Sequence, residues 1–384
     1  MSVSKLPRRL TLIAVLSIGL LGVGIGAGVG GLESHMTSAS DTVGLLPATR
    51  ITALPRPTIL NGVTPLRVRL SGVPAPFSPH PALSPAVAGT WTRRGKSEFF
   101  TPKVALEPCS TYTLTVWAAS TATGHSPLGK RRSVPLHVAC PSVRGLQQIL
   151  ARLDYLPYEA HSIHSEQASS SGEASNSGEV SSREPSSRAA LTARYAFDPP
   201  SEAPRARLAD APALEYGELD GTTKGALMVF QSDHGIEPTG TPESATWQAL
   251  FKAAVHDERN HDSYTFVTVT ESIPETLEVH RGNHVVLSTP ANTGVAGAET
   301  AQGIFPIFSR FTSTTMVGTN PDGTKYSDPG VPWVNYFNGG DAVHGFPRGS
   351  YGTPQSNGCV ELPISTAETV FGMLKLGDIV EVTS

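Results

Sequence analysis

The sequence lacks the basic, aromatic-rich segments with which nucleic-acid-binding proteins hold a phosphate backbone. Charged residues make up only 16% of the 384 residues, and 33 acidic residues against 29 basic ones give a formal net charge of -4. A chain with this balance has no positive field to attract a polyanion. We therefore do not expect nucleic acid as a partner.

Charge is absent from one long stretch near the N-terminus. Residues 10–32 are uncharged and mostly apolar, and they follow Lys5, Arg8 and Arg9. At about 1.5 Å per residue this stretch reaches roughly 34 Å, enough to cross a bilayer core of about 30 Å. It predicts a single transmembrane anchor, with residues 1–9 in the cytoplasm and the rest of the chain outside. A cleaved signal peptide, which would leave the protein secreted, is the alternative.

Cysteine is scarce, with three residues in the whole chain. In an oxidising compartment, an odd count predicts one disulfide and one remaining thiol. We predict that Cys109 pairs with Cys140, because they bracket two short segments with the alternating pattern of β-strands. Cys359 is then unpaired, and a free thiol outside the cytoplasm indicates a functional role.

Proline and glycine separate short alternating runs between residues 41 and 140. Such runs predict a small antiparallel β-sandwich. Two segments of this region, SPHPALSPAVAGTW and FFTPKVALEPCSTYTLTVWA, resemble the immunoglobulin-like modules that precede wall-modifying catalytic domains in actinobacteria. The resemblance implies a spacer module in a protein of actinobacterial type.

Three helical patterns follow in residues 142–256. The first begins at Ser142, a candidate N-cap, and the others cover residues 222–234 and 242–254. Together they predict a small three-helix domain. Residues 161–212 form a predicted disordered insert, because serine, glutamate and glycine dominate its first part and few apolar side chains are available for burial.

The helical segments also resemble the peptidoglycan-binding domain that is attached to many cell-wall enzymes. The residues that carry this resemblance are Leu146, Gln147, Leu153, Phe230, Gln231, Gly235, Thr246, Trp247 and Leu250. The resemblance implies that residues 142–256 bind the cell wall. The serine-rich insert between the first and second helices departs from the family pattern.

Strand patterns dominate from residue 264 to residue 384, and one helix is predicted near residues 365–374. These patterns predict a mixed β-sandwich with one short helix. Cys359 and His344 lie in this region, fifteen positions apart and both among glycines. A cysteine that attacks a carbonyl needs its thiolate, which an adjacent imidazole supplies by forming an ion pair. The N–H groups of Gly358 and Cys359 are the candidate donors to the developing oxyanion.

The pattern H-G at residues 344–345 with S-N-G-C at residues 356–359 resembles the signature of the L,D-transpeptidases, the YkuD-type catalytic domain. Three upstream segments occur in the family's order: STPANTG at residues 288–294, TAQGIF at residues 300–305 and VPWVNYFNGGDAVHG at residues 331–345. The resemblance therefore covers the whole C-terminal domain.

This resemblance implies a reaction. Cys359 attacks a donor peptidoglycan stem peptide, D-alanine leaves and a thioester remains, with His344 as general acid and base. An amine of a neighbouring stem peptide then attacks the thioester and forms a 3-3 cross-link. The Gly345 carbonyl would orient the imidazole and Ser356 would support the nucleophile loop. Carbapenem β-lactams are the expected covalent inhibitors, and neither a metal nor an organic cofactor is implied.

Two positions depart from the family pattern. Asn357 stands where a second histidine is common, and it donates hydrogen bonds without titrating. Glu361 stands where arginine or asparagine is usual, and its charge would disfavour a thiolate unless Arg348 neutralises it. The candidate substrate-binding residues are Tyr326, Trp333, Arg348 and Glu361.

Other functions are compatible with the same residues. An L,D-carboxypeptidase would use the same thioester with water in place of the amine, and a non-catalytic scaffold would bind the wall without acylation. A zinc site at Cys359 and His344 is disfavoured because no C-x-x-C pair supplies further ligands. The expected location is the cell membrane, as a single-pass protein with an extracytoplasmic catalytic domain, or the cell wall after secretion.

Overall fold

The computed structural model describes residues 50–53, 59–71, 80–95, 97–117, 131–163 and 184–384. All of them belong to one compact unit. The predicted transmembrane stretch, residues 10–32, and the cytoplasmic residues 1–9 lie outside these ranges. Within the described ranges, no helix combines the length and the apolar character needed to cross a bilayer.

The described residues of the N-terminal region form two four-stranded sheets. One sheet has the strand order β1-β3-β6-β5 and the other has the order β2-β8-β7-β4. The strands are β1 (Arg50–Ala53), β2 (Ile59–Leu60), β3 (Leu66–Ser71), β4 (Ala82–Ser84), β5 (Gly89–Arg94), β6 (Ser97–Pro102), β7 (Thr111–Trp117) and β8 (Arg131–Val138).

The two sheets share one apolar core. Val68 and Phe100 of one sheet and Leu114 and Leu136 of the other are almost completely buried and belong to the same cluster. The described part of the region is therefore a β-sandwich, with β2 and β8 as a parallel pair among antiparallel ones. Its assignment to the immunoglobulin-like class stays a prediction.

A disulfide joins Cys109 to Cys140 across residues that flank β7 and β8, with an S–S distance of 2.09 Å. Cys359 is the free cysteine. The pairing is the one that the alternating segments between the two cysteines predicted.

The helical region contains four helices in the described residues. The elements are α1 (Val143–Arg152), β9 (Tyr158–Glu159), α2 (Glu184–Phe197), β10 (Arg205–Ala206), α3 (Gly221–Asp233) and α4 (Ser244–His256). The predicted N-cap forms, since the Gly145 N–H donates to Ser142 Oγ at 3.1 Å. Asp220 caps α3 in the same way, accepting from the Thr223 N–H at 2.7 Å.

The predicted disordered insert is wrong for residues 184–212. Helix α2 lies there and packs against α1 and α4, with Ala193, Tyr195 and Ala196 buried. These apolar residues follow the serine-rich stretch and are spaced to face the other helices, so the polar composition of the first part did not extend to them. The domain therefore has four helices where three were predicted, and residues 164–183 lie outside the description.

The C-terminal domain contains two sheets and a helix. A five-stranded sheet has the order β13-β12-β11-β19-β14, and a four-stranded sheet has the order β15-β16-β17-β18. The elements are β11 (Thr265–Thr270), β12 (Thr276–Arg281), β13 (His284–Pro290), β14 (Gly303–Pro306), β15 (Ser309–Thr319), β16 (Lys325–Asn338), β17 (Asp341–Gly345), β18 (Val360–Leu362), α5 (Ile364–Met373) and β19 (Ile379–Thr383).

One buried core connects these sheets and α5. Val267 and Val380 of the first sheet, Val343 and Val360 of the second, and Val370 of the helix are all inaccessible to solvent or nearly so. Complete burial of an apolar side chain of this size contributes roughly 1.5 to 3 kcal/mol to the stability of the fold. This core holds the second sheet, which carries His344 on β17, in a fixed position.

The helical domain packs directly on the C-terminal domain. Helix α3 contacts β14 and β19. The contact is backbone to backbone, because a side chain at Gly225 would collide with the carbonyl oxygen of Gly377. Two domains that meet at this distance leave no room for a larger residue on the α3 side of the contact.

Candidate active site

Two parallel strands bring the predicted nucleophile and base to one face of a sheet. Strand β17 pairs with β18 so that Val343 lies beside Val360 and His344 lies beside Glu361. Side chains alternate along a strand, so His344, Glu361 and the preceding Cys359 project from the same face. The short β18 therefore sets the spacing between thiol and imidazole.

These side chains line a small cavity that is open to solvent. Seven of the residues predicted from the sequence line it: Tyr326, His344, Arg348, Ser356, Asn357, Cys359 and Glu361. Four lining residues were missed by the sequence analysis: Met316, Asp328, Val331 and Phe346. The hairpin of β15 and β16 supplies three of the missed residues. Of these, Val331 begins the upstream family segment, whereas Met316 and Asp328 lie outside the quoted motifs.

His344 is buried, with 3% of its surface exposed, and its ring has a fixed orientation. Its Nδ1 lies 3.1 Å from the carbonyl oxygen of Gly345. A carbonyl only accepts, so Nδ1 carries the hydrogen and the neutral ring presents Nε2 as a proton acceptor. Burial lowers the pKa of His344, which keeps the imidazole neutral near pH 7.

Burial also favours the neutral form of the Cys359 thiol. Its Sγ lies 3.7 Å from the carbonyl oxygen of Gly340 and accepts from the Ala342 N–H. Burial raises the pKa of Cys359 to about 12, and the charges of Asp341 and Glu361 act in the same direction. Desolvation disfavours both charged forms in this cavity, so it acts against the thiolate–imidazolium ion pair, which stays a prediction.

Ser356 holds the loop before the nucleophile. Its hydroxyl donates to the carbonyl oxygen of Cys359 at 2.5 Å and accepts from the Gly358 N–H at 3.2 Å. The expectation that the Gly358 N–H binds an oxyanion is therefore corrected, because this donor is already used inside the loop. The N–H of Cys359 stays the candidate donor.

The backbone conformation at position 358 requires glycine. Its φ of 106° is in the region that favours glycine. A Cβ there would also lie 2.6 Å from an oxygen of Asp341. Asp341, which the sequence analysis missed, accepts from the Asn338 side chain at 3.2 Å and from the Ala301 N–H at 3.4 Å. Burial raises the pKa of this carboxyl group.

Two predicted site residues lie at the rim of the cavity or outside it. Asn357 is exposed at the rim, and its amide donates to Asn320 Oδ1 at 2.7 Å. Trp333 does not line the cavity and packs against Phe371 of α5, with ring centroids 5.5 Å apart. Its φ of 59° interrupts the alternation of β16, so its predicted substrate-binding role is not supported.

Glu361 and Arg348 form a buried, bidentate ion pair. Arg348 Nε and one terminal nitrogen each lie 2.7 Å from a Glu361 oxygen, and the Glu361 side chain is only 5% exposed. Arg348 also donates to the Gln355 carbonyl at 2.9 Å and lies 4.7 Å from the centroid of the Phe346 ring. Arg348 thus compensates the charge of the unusual acidic residue in part, because Glu361 still acts to raise the pKa of Cys359.

The loop that contains Asn292 and Thr293 is hydrogen-bonded to the strand that follows the nucleophile. The backbones of Asn292 and Glu361 exchange two hydrogen bonds of 3.0 and 2.9 Å. The buried carboxylate of Glu275 accepts from the N–H of Thr293 at 2.7 Å and from its hydroxyl at 2.8 Å. The loop was predictable from its family motif, but Glu275 was not, because a single acid in the turn between β11 and β12 gives no signal of burial.

Comparisons with known proteins agree with the motifs in two segments. Residues 266–382 match the family model of the L,D-transpeptidase catalytic domain, YkuD. Residues 207–250 match the model of a peptidoglycan binding domain, PG_binding_1. Both predicted resemblances are confirmed. A comparison with curated protein sequences gives no match.

Solved structures of L,D-transpeptidases are similar to this chain. The catalytic domain from E. faecium is 27% identical, and the match covers 32% of this chain and 100% of that one, with a TM-score of 0.29. The same values hold for that domain acylated by ertapenem. An L,D-transpeptidase from Mycobacterium smegmatis is 12% identical, with 88% of this chain and 99% of that chain covered and a TM-score of 0.29.

Proposed function

We propose that this chain, which contains a YkuD-type L,D-transpeptidase catalytic domain and a peptidoglycan-binding domain, forms 3-3 cross-links in peptidoglycan through a cysteine thioester. The observation that supports the proposal best is the arrangement of Cys359 and His344 on one face of adjacent strands. The imidazole hydrogen on Nδ1 points to Gly345, which leaves Nε2 available for the thiol proton.

In the first step, Cys359 attacks the carbonyl carbon of the third residue of the donor stem, whose amide bond leads to D-alanine. His344 Nε2 takes the thiol proton as the S–C bond forms, because both groups start neutral. The Cys359 N–H is the candidate donor to the oxyanion. The imidazolium returns the proton to the departing D-alanine amine as the C–N bond breaks, and the thioester remains.

In the second step, the side-chain amine of another stem attacks the thioester carbonyl. A C–N bond forms, the C–S bond breaks and the cysteine is regenerated as a thiol. Water in place of the amine would give an L,D-carboxypeptidase. Carbapenems are proposed to acylate the same sulfur, since solved L,D-transpeptidases include an imipenem complex and an ertapenem adduct.

The test is product analysis with purified protein and a disaccharide tetrapeptide stem. Mass spectrometry should detect a dimer that has lost one D-alanine, and the Cys359→Ala variant should give none. Release of D-alanine with only a tripeptide stem would indicate a carboxypeptidase. Unchanged substrate, with the protein bound to isolated cell walls, would indicate a scaffold.

We also propose an extracytoplasmic location, at the membrane or in the wall. Two features support it: the disulfide between Cys109 and Cys140 and the peptidoglycan-binding match. Fractionation of cells that express the full chain, with immunodetection of the processed or unprocessed form, would distinguish a retained anchor from a cleaved signal.

A further inference from the structure

Asp328 of β16 is one of the cavity residues that the hairpin of β15 and β16 supplies. It pairs with Met316 across the β15–β16 hairpin and is half-buried. It lines the same cavity as Cys359 and His344. Its carboxylate is thus near the reacting groups and partly accessible to solvent.

The other two carboxylates near the sulfur are already engaged. Glu361 is bound by Arg348, and Asp341 accepts from Asn338 and from the Ala301 N–H. For Asp328, the described part of the chain supplies neither a hydrogen bond nor an ion pair within bonding distance. It is therefore the acidic group of the cavity whose charge is left for a ligand.

The charge of Asp328 is felt inside the site. It acts to raise the pKa of both His344 and Arg348, which places the carboxylate within electrostatic reach of each. Val331 and Met316, both largely buried, provide apolar surface beside it. A carboxylate next to apolar side chains suits a ligand with a methylene chain that ends in a cation.

We propose that Asp328 binds the ammonium group of the acceptor, so that the second substrate is an aliphatic primary amine in its protonated form. This inference rests on the proposed transpeptidase function. An aliphatic amine has a pKa near 10 in water, so it reaches the cavity as a cation. Asp328 attracts it, and the apolar wall contacts the chain that carries it.

The bound ammonium must lose protons to react. Neutral His344 takes the first proton, and the amine attacks the thioester carbonyl. As the C–N bond forms and the C–S bond breaks, the departing thiolate of Cys359 takes the second proton from nitrogen. The imidazolium then releases its proton to water, so that atoms and charges balance.

The test separates the two half-reactions in the Asp328→Asn variant. Wild type and variant are first acylated by the tetrapeptide donor, and transfer is then measured to a stem tripeptide whose third residue has a free side-chain amine. We expect the KM for this acceptor to rise about fivefold to tenfold with little change in kcat. Added salt should raise the wild-type KM and leave that of the variant nearly constant.

Three controls make the result specific. Hydroxylamine, a neutral nucleophile, should react with both acyl-enzymes at similar rates. Asp328→Glu should restore most of the affinity for the cationic acceptor. Asp322→Asn removes an exposed carboxylate of the same hairpin that accepts from Thr324, and it should leave the KM unchanged.

An unchanged KM for the cationic acceptor in Asp328→Asn would overturn the assignment, as would an equal loss with hydroxylamine. A wild-type protein that is never acylated by the donor would overturn the proposed function together with this inference. An acylated wild type with an insensitive Asp328 variant would overturn the inference alone.

Discussion

The two sides of the catalytic cavity differ in how firmly they are held. On the nucleophile side, Ser356, Asn292 and the Arg348–Glu361 pair fix nearly every group around the sulfur by hydrogen bonds. On the hairpin side, Asp328 is half-buried and the register of β15 and β16 shifts near Met316. The difference indicates that bond making depends on a preorganised side and substrate choice on an open one.

The largest effect on the acylation rate is expected when the proposed base, His344, is removed. Substitution His344→Gln keeps a hydrogen-bonding side chain but cannot accept the thiol proton, so the acylation rate should fall about a thousandfold. The rate is measured as loss of carbapenem absorbance. Because the pKa of His344 is lowered, the wild-type rate should fall only on the acid side of the usual histidine range, below about pH 6.5. A variant that keeps wild-type acylation would show that His344 is not the base.

The next largest effect concerns the rigidity of the nucleophile side. Arg348→Ala leaves the Glu361 carboxylate buried without its partner, so the free energy of unfolding should drop by about 3 kcal/mol. Urea unfolding measures it. The double variant Arg348→Ala with Glu361→Gln should recover most of the loss, since it removes the uncompensated charge.

A matched control is the exposed ion pair between Lys375 and Asp262, whose side chains are 42% and 70% exposed. Lys375→Ala should change stability by less than about 0.5 kcal/mol. Equal losses in the Arg348 and Lys375 variants would contradict the view that the nucleophile side is held by a buried pair.

The state of the sulfur gives a third prediction. Cys359 is the free cysteine, so alkylation by iodoacetamide reports on it alone. Its raised pKa, about 12, should make alkylation near pH 7 roughly 50-fold slower than that of an unfolded thiol, since lower thiolate population outweighs higher nucleophilicity. The rate should still climb at about pH 10. A plateau already below about pH 7 would instead reveal a preformed thiolate.

The smallest effect is expected for the loop hydroxyl. Ser356→Ala removes a donor to the Cys359 carbonyl and an acceptor for the Gly358 N–H, which should cost about 1 kcal/mol of stability. The acylation rate should fall about fivefold, the factor that corresponds to about 1 kcal/mol of activation free energy. Ser350→Ala, at an exposed position of the same segment, is the control. A greater loss in the control would remove Ser356 from its supporting role.

The reacting residues were predictable because they lie in a short, dense motif. Glycines, a histidine and a cysteine at residues 344–345 and 356–359 constrain backbone and chemistry together, and few other functions use that pattern. The same reasoning located the strand-rich domain and the disulfide pair. In each instance the signal was local in sequence.

Tertiary contacts explain what the sequence did not reveal. The ionisation of Cys359 depends on burial by residues that come from β15 and β16, and no motif encodes that burial. Trp333 leaves the cavity because of a single left-handed backbone conformation. Helix α2 was missed because a polar stretch precedes it, although Tyr195 and its neighbours pack against α1 and α4.

The most direct test of the central claim is intact-mass analysis after exposure to a carbapenem. The account predicts one adduct per chain that is lost in Cys359→Ala, retained but formed slowly in His344→Gln, and mapped to the peptide that contains Cys359. An adduct that persists in Cys359→Ala, or a wild type that stays unmodified, would contradict acyl transfer by this thiol.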